Sequence, residues 1–269
     1  MSDTVSMGDD LTAALCHANC IEGARQGARL AGRFGEVVER DGLVLFAGGS
    51  DFPVLVNGVF RVDPAVPADN VVDVADEWFA ERGRGWSLCT TSWADADADL
   101  IESGTARGLL SVMDTPGMVC DERLADAVAP DGVELRTITT QAEVQAYLAM
   151  SDLAYTSLGI PAGWLNDTAP SPILWPPNLI AVGAFDGEEL LSGAYVLFSH
   201  GIAGIYLVGT AEGARGRGLG ELVTRAVTNI GFDRGAPFVT LQASPMGEPV
   251  YRRMGYRELY RYACHARFV

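Results

Sequence analysis

The stretch VGTAEGARGRGLG, residues 208–220, decides how this sequence folds. An apolar run from Ile202 to Val208 leads into it and predicts a β-strand. After it, apolar residues recur at spacings of three and one from Leu219 to Ile230, which places them on one face of a helix. The stretch therefore predicts a glycine-rich loop between a strand and the first turn of a helix.

Such a loop is suited to binding an anion. The first backbone N–H groups of a helix lack partners, and the helix dipole is positive there. Gly216, Gly218 and Gly220 let the backbone curl closely around a phosphate, since they carry no Cβ atom. Arg215 and Arg217 add charged hydrogen-bond donors for a diphosphate. The loop therefore predicts a phosphorylated cofactor.

A nearly identical string, RGRG at residues 82–85, offers an internal comparison. It follows a predicted helix and precedes a predicted strand, so it meets the carbonyl end of a helix, which is the wrong pole for phosphate. We expect this second string to be only a helix stop. Position relative to the helix, and not composition, separates the two.

Two other nucleotide-binding motifs fit poorly. The Walker loop needs a lysine followed by Ser or Thr, and this chain has no lysine. A dinucleotide-binding loop is expected near the first strand of a parallel βαβ unit, whereas residues 215–220 come late, after an antiparallel hairpin. A nucleotide-binding protein is thus the weakest of the hypotheses for this chain.

The predicted elements have clear local signals. Asp-Gly pairs at 41–42 and 186–187 each join two apolar runs and predict antiparallel hairpins. Thr139 or Thr140 opens a helix that has Leu153 on its inner side. The segment from Gly159 to Pro177 is broken by prolines and predicts irregular chain or one short helix.

The whole chain is predicted to be α/β with a mixed sheet, in two halves, 1–131 and 132–269. The connection between them, from Cys120 to Val133, mixes charges, alanines, a proline and a glycine. The second half has the predicted order β-α-(α)-β-β-β-α-β-α-β. The predicted elements of the first half follow the same order less completely, which suggests an internal duplication.

The pattern Arg215-x-x-Gly218-x-Gly220, between the fourth strand and a helix, resembles the acetyl-CoA signature of the GNAT N-acetyltransferase superfamily. A second stretch, ASPMGEPVYRRMGY at residues 243–256, resembles the closing helix and strand of that family. The resemblance covers about 135 residues and implies the GNAT acyltransferase fold, in two tandem copies. The first half would be a degenerate copy, because its counterpart loop at 63–70 has two prolines and two aspartates but no glycine or arginine.

The resemblance also implies a V-shaped split between the strands at 202–208 and 238–242, in which the pantetheine of acetyl-CoA lies like an added strand. Tyr251 matches the tyrosine beside the coenzyme sulfur and is the expected general acid, since a phenol of pKa about 10 can donate to a thiolate whose conjugate acid lies near 8.5. The Val208 N–H would polarise the thioester carbonyl. The residues expected to contact the cofactor are Val208, Gly209, Thr210, Arg215, Gly216, Arg217, Gly218, Leu219, Gly220, Ser244 and Tyr251.

The acceptor side is less clear from the sequence. Tyr155, Trp164 and Trp175 lie in or next to the irregular segment and could form an aromatic pocket for an amine, or simply cover the core. The strand at 202–208 lacks the carboxylate that many relatives hold. The candidates for a general base are therefore Asp152, Tyr206, His265 and His200, and a water could also relay the proton.

The composition limits the classes of partner that this protein is expected to bind. The net charge is -16, which disfavours nucleic acid and anionic membranes and favours a cationic amine, although solubility alone explains it equally well. No long apolar run and no basic leader is present, so a cytoplasmic protein is expected. Cys16, His17 and Cys20 lack a second ligand pair, so no metal is expected.

Two functions of different classes remain from the sequence. The first is an N-acetyltransferase that moves an acetyl group from acetyl-CoA to a small-molecule or peptide amine by direct attack in a ternary complex. The second is a non-catalytic acyl-CoA-binding sensor or scaffold.

Overall fold

One continuous sheet of eleven strands runs through the computed structural model, which describes residues 8–93, 97–126, 128–165 and 175–269. The strands are β1 (Glu36–Arg40), β2 (Leu43–Ala47), β3 (Gly58–Arg61), β4 (Trp86–Thr91), β5 (Leu110–Cys120), β6 (Val133–Thr137), β7 (Leu179–Asp186), β8 (Glu189–Ser199), β9 (Ile202–Thr210), β10 (Val239–Gln242) and β11 (Arg257–Arg267). The helices are α1 (Asp9–Leu30), α2 (Ala68–Ala80), α3 (Ala98–Ala106), α4 (Gln141–Tyr155), α5 (Leu219–Asp233) and α6 (Glu248–Met254).

The local signals in the sequence explain most of these elements. Asp41 and Gly42 both have positive φ, the conformation that a two-residue hairpin turn requires between β1 and β2. Thr140 caps α4, and its side chain and that of Glu143 form a reciprocal capping box. The prediction for Leu153 is wrong: the side chain is 64% exposed, because it lies on the outer side of the last turn of α4.

The strands of the two halves interleave. The order across the sheet is β1-β2-β3-β4-β11-β5-β10-β9-β8-β7-β6. The last strand of the first half, β5, pairs with β10, and the last strand of the second half, β11, pairs with β4 and β5. The two sides of a boundary at 131/132 thus complete each other's sheet, and that boundary stays a prediction, as does the internal duplication.

The helices cover the two faces of the sheet. On one face, α5 packs Val223 and Val227 against Ala203 and Ile205 of β9. On the other, α4 packs Tyr147 against β8, and α1 from the first half crosses β8 and β9 beside it. We call these the α5 face and the α1 face. None of the helices in the described ranges has the length and apolarity needed to cross a membrane.

Candidate functional site

The sheet opens between β9 and β10. These parallel strands pair only from Ala203 opposite Val239 to Ile205 opposite Leu241. Beyond that point β9 continues to Thr210 with no described strand along this edge, while its other edge stays paired with β8. The result is a V-shaped opening, as the resemblance implies.

A bulge in β9 sets the edge of the opening. Leu207 has φ of 53°, unusual for a branched residue, and the register with β8 shifts between Gly193 and Tyr195. The Tyr147 hydroxyl of α4 donates a hydrogen bond of 2.6 Å to the Leu207 carbonyl and fixes this conformation. Such bulges often occur next to functional sites, where they re-aim backbone groups.

After the bulge, alternate backbone groups face the opening. The Ala211 N–H donates to Leu191 of β8 at 2.8 Å, so by alternation Gly209 also faces β8, and Val208 and Thr210 face the opening. Gly209 thus differs from the expectation that its backbone binds a ligand, and its carbonyl accepts a 2.8 Å bond from the Ser192 side chain. A Cβ atom at Gly209 would lie 3.2 Å from Ser151 Oγ, so this glycine allows α4 to pack closely.

The loop after β9 presents backbone donors next to this opening. Gly216 and Gly218 have φ of 77° and 75°, and a Cβ atom at either position would meet no atom of the described residues within 4 Å. Gly218 is the N-cap of α5 and accepts a bond from the Leu222 N–H, but it has no side chain to cap the helix. Within the described chain, the N–H groups of residues 216–221 have no acceptor. This is the unpaired array that an anion requires.

The side chains of the loop have different surroundings. The Arg215 guanidinium donates to the Ala154 carbonyl at 3.1 Å and approaches Ser157 Oγ at 3.4 Å, which ties the loop to the end of α4. Arg217 is exposed beside the loop. Leu219 is buried in the core under α5 and anchors the first helical turn. The Gly220 carbonyl accepts a 2.7 Å bond from the Thr224 hydroxyl, and its N–H stays available.

Tyr251 of α6 approaches the opening from the other side. It is buried, and burial raises the pKa of its phenol to about 12, against a smaller opposite effect of the Thr224 hydroxyl on α5. Ser244 lies at the turn that leads into α6. Its side-chain oxygen and its carbonyl oxygen both accept hydrogen bonds from the Gly247 N–H, at 3.1 and 3.0 Å. The structure therefore brings Tyr251, the first turns of α5 and the free edge of β9 together.

Aromatic side chains cover the opening on the α1 face. The rings of Tyr155 and Trp164 are 5.3 Å apart, and Trp164 packs with Ile160 and with Val56 of the first half. Trp175 lies 6.3 Å from Tyr195, further along the same face. Residues 166–174, which belong to the predicted irregular segment, lie outside the described residues. The sequence did not reveal the contribution of Val56, since a packing contact between distant segments leaves no local pattern.

Both carboxylate oxygens of Asp152 already accept hydrogen bonds from the backbone. Its carboxylate accepts bonds from the N–H groups of Gly163 at 2.8 Å and Leu165 at 2.9 Å, and it is almost fully buried. It holds the segment after α4 in place. A carboxylate already used in this way is poorly placed to take a proton from a substrate.

The other base candidates are dispersed. The Tyr206 hydroxyl donates a 2.6 Å bond to Asn19 of α1, and burial raises its pKa. His265 lies on β11 between Leu88 of β4 and Ser111 of β5, three strands away from β9, and burial lowers its pKa. His200 is exposed in the β8–β9 turn, at the opposite end of β9 from Thr210. Only Tyr206 of these three borders the opening.

In the first half, the parallel strands β3 and β4 also separate, and a paired arginine ends β3. The strands β3 and β4 pair only at Gly58 and Val59 and then diverge. The Arg61 guanidinium forms two bonds, of 2.8 and 2.7 Å, to the Asp99 carboxylate, lies 3.5 Å from Asp97 and donates to the Val66 carbonyl. A guanidinium held by two acids of its own chain is not available to a diphosphate. That the first half is a degenerate copy without a cofactor site stays a prediction.

Arg61→Met is expected to lower the free energy of unfolding by about 2 kcal/mol, or the melting temperature by about 5 °C, because it leaves the buried Asp97 without its cation. This loss of stability is at the low end of the range for breaking a buried ion pair, since the Asp99 side chain is 56% exposed. Thermal denaturation measures the effect. Arg257→Met, which breaks exposed pairs with Asp9 and Asp121, is the control and should cost less than about 1 kcal/mol. Equal losses in the two variants would contradict this account.

The RGRG string at 82–85 is the helix stop that the sequence predicts. Gly83 has φ of 59°, and the N–H groups of Arg82 and Arg84 both bond to the Phe79 carbonyl at the end of α2. The cysteine-rich turn of α1 is buried: Cys20 has a thiol whose pKa burial raises to about 12, and His17 Nδ1 lies 2.8 Å from the Tyr262 hydroxyl. Among the residues described, no three His, Cys, Asp or Glu side chains cluster as metal ligands do.

Known proteins provide an independent comparison. No protein-family model matches the sequence. A mycothiol acetyltransferase from Tsukamurella paurometabola is 27% identical over 154 residues, which cover 51% of this chain. The match covers 53% of that protein, so the chain spans about half the length of this curated relative.

Solved structures are similar over most of the chain. A GCN5-related N-acetyltransferase from Kribbella flavida has a TM-score of 0.67 at 21% identity and covers 91% of this chain and 94% of its own. A tandem GNAT protein from the clavulanic acid biosynthesis pathway has a TM-score of 0.60 at 16% identity over 91% of this chain and 86% of its own. A GCN5-related N-acetyltransferase from Sphaerobacter thermophilus has a TM-score of 0.58 at 19% identity over 84% of this chain and 80% of its own.

These likenesses extend over most of the chain and concern its architecture. The chain therefore has the fold of the GCN5-related N-acetyltransferases.

Proposed function

We propose that this chain is an acetyl-CoA-dependent N-acetyltransferase that acts on a primary amine of a small molecule or peptide. The observation that carries the proposal is the array of unpaired N–H groups at 216–221, which continues from the free edge of β9. The array fits a diphosphate, because both its donors and the positive end of α5 favour negative charge. The exposed Arg217 adds a charged donor next to it.

The remaining groups suit a pantetheine arm and a thioester. The backbone of Val208 and Thr210 faces the opening and can bond to an extended chain laid beside β9. Bound acetyl-CoA supplies an acetyl group on a thioester, whose carbonyl the Val208 N–H would polarise. Tyr251 keeps its proton at neutral pH and can donate it to a leaving sulfur.

The raised pKa of Tyr251 does not exclude this role. Apolar surroundings raise the pKa of a thiol as well: in the same protein, burial raises that of Cys16 to about 11. The gap between phenol and thiol therefore stays small in a closed site. The Tyr251 hydroxyl acts first as a hydrogen-bond donor to developing negative charge on sulfur, and then as the source of the proton.

A non-catalytic acyl-CoA-binding protein is the second candidate. One observation favours it: the Asp152 carboxylate already accepts two backbone bonds, so this acid is not available as a general base at the opening. If the protein is nevertheless an enzyme, its amine substrate loses a proton to a water molecule or enters the site in its neutral form. A non-catalytic sensor would need the same cofactor site but would not acetylate any amine.

Two measurements decide between these functions. Calorimetric titration should show one site for coenzyme A, and excess ATP should fail to displace it. A thiol-release assay with acetyl-CoA and a panel of amines should then show turnover that depends on the amine. Binding without turnover across the panel would favour the sensor, and preferential binding of ATP would reject both candidates.

A further inference from the structure

Three polar atoms on neighbouring strands are buried and have no partner in hydrogen-bonding geometry among the described residues. They are Thr115 Oγ1 on β5, Gln242 Nε2 on β10 and the Tyr260 hydroxyl on β11. Tyr260 is 4% exposed and Thr115 is 8% exposed. Gln242 and Tyr260 lie opposite the same residue, Gly117 of β5, and Thr115 is two positions further along that strand. The three atoms thus belong to one small area of the sheet.

This area adjoins the opening. Gln242 follows Leu241, the last residue of β10 that pairs with β9, just as Tyr206 follows Ile205. Leu241 and Ile205 point to the α5 face, so Gln242 and Tyr206 point to the α1 face by alternation. The two side chains therefore flank the narrow end of the opening, on the face where the aromatic residues lie.

Gly117 gives Tyr260 its position. A Cβ atom on Gly117 would lie 2.3 Å from the Tyr260 ring, so any other residue would push the ring away. The ring lies across this gap towards β10, and Thr240 and Gln242 come near enough to act on the pKa of its hydroxyl, which burial raises. The glycine belongs to the first half of the chain, so that half shapes this part of the site.

An unmet buried hydrogen-bonding group costs roughly 1–3 kcal/mol. Other buried hydroxyl groups of the same sheet do have partners: Thr240 donates to the Met118 carbonyl and Thr90 to the Ala263 carbonyl, both at 3.1 Å. The cost at Thr115, Gln242 and Tyr260 is repaid if a ligand completes the set. All three groups can donate a hydrogen bond, so the complementary ligand atom is an oxygen.

We propose that Gln242, Tyr260 and Thr115 form an acceptor subsite that binds a carbonyl oxygen carried by the amine substrate. The proposal rests on the acetyltransferase function proposed above and names the class of its acceptor: an amine with an amide or other carbonyl group a few bonds from its reactive nitrogen. The hydrocarbon part of such a substrate would contact the aromatic residues of the α1 face.

A matched pair of amines tests the subsite. Phenylalaninamide and 2-phenylethylamine share a skeleton and differ in one carboxamide group. The wild-type protein should have the higher kcat/KM for phenylalaninamide. Gln242→Leu, Tyr260→Phe and Thr115→Val should each reduce that preference about fivefold, mostly through KM. Acetylation of 2-phenylethylamine, which has no carbonyl group for the subsite, should fall much less than acetylation of phenylalaninamide in each variant.

Thr90→Val is the control, because it removes a buried hydroxyl that already bonds to the Ala263 carbonyl and lies on β4, a strand that does not border the opening. It should change the melting temperature and leave the preference intact. An unchanged preference in all three subsite variants would overturn the proposal, and would mean that the atoms hold a structural water. If the wild-type protein acetylates neither amine, the proposed function has failed for this acceptor class. Calorimetry of phenylalaninamide against the Gln242→Leu variant then still decides whether the subsite binds it.

Discussion

Gly218→Asp is expected to weaken coenzyme A binding by on the order of 100-fold relative to Gly218→Asn. Aspartate and asparagine both tolerate the left-handed conformation of this residue and both are good helix N-caps. A Cβ atom meets nothing within 4 Å, so neither should disturb the fold. The two variants therefore differ mainly in one negative charge beside the diphosphate.

The size of this expected difference in affinity follows from electrostatics. Two unit charges 4 Å apart repel by about 4 kcal/mol at an effective dielectric constant of about 20, and the solvent around this exposed loop screens part of that. Calorimetry measures both affinities. Gly83→Asp is the matched control, since Gly83 also has positive φ, open space and flanking arginines but lies at the end of a helix. Equal affinities for all three variants would show that residues 215–220 do not hold the diphosphate.

Tyr251→Phe is expected to lower kcat by on the order of 100-fold and to leave coenzyme A affinity nearly unchanged. Removal of a general acid typically costs a factor of 10² to 10⁴, while the ring, which packs in the core, is kept. Single-turnover rates with acetyl-CoA and an amine that the wild-type protein acetylates measure the effect. Tyr256→Phe is the control, because it removes a buried hydroxyl bonded to Thr228 at 2.7 Å, away from the opening. Comparable losses of kcat in the two variants would reduce Tyr251 to a packing residue.

The pH profile gives a second check on Tyr251. Its pKa is raised to about 12, so the phenol stays protonated, and competent as an acid, through about pH 10. Loss of the proton should not limit kcat in that range. A fall in kcat that begins near pH 9 in the wild-type protein and disappears in Tyr251→Phe would contradict the raised pKa.

The sequence predicted the features that depend on neighbouring residues. The Asp-Gly turn at 41–42, the capping box at Thr140 and the glycine-rich start of α5 each arise within a few residues, and local chemistry determines them. The RGRG string at 82–85 lies at the end of a helix, as predicted, since the direction of a helix is readable from the order of the elements.

Features that depend on distant pairing were not predicted. The exchange of β5 and β11 between the halves joins residues far apart in sequence, and nothing in the pattern of either strand specifies its neighbour. Asp152 illustrates the same limit for the site. Its sequence context shows a carboxylate near an irregular segment, but only the fold reveals that Gly163 and Leu165 already occupy its oxygens. Thr115, Gln242 and Tyr260 show the same limit, because they lie on β5, β10 and β11, which become neighbours only in the folded sheet.

The backbone amide NMR spectrum of the labelled protein, titrated with coenzyme A, tests the central claim most directly. If the start of α5 holds the diphosphate, the amides of residues 216–221 should show the largest shifts, with Val208 and Thr210 next, and the amides of 82–85 should not move. Saturable shifts confined to other parts of the chain, with 216–221 unchanged, would contradict the account.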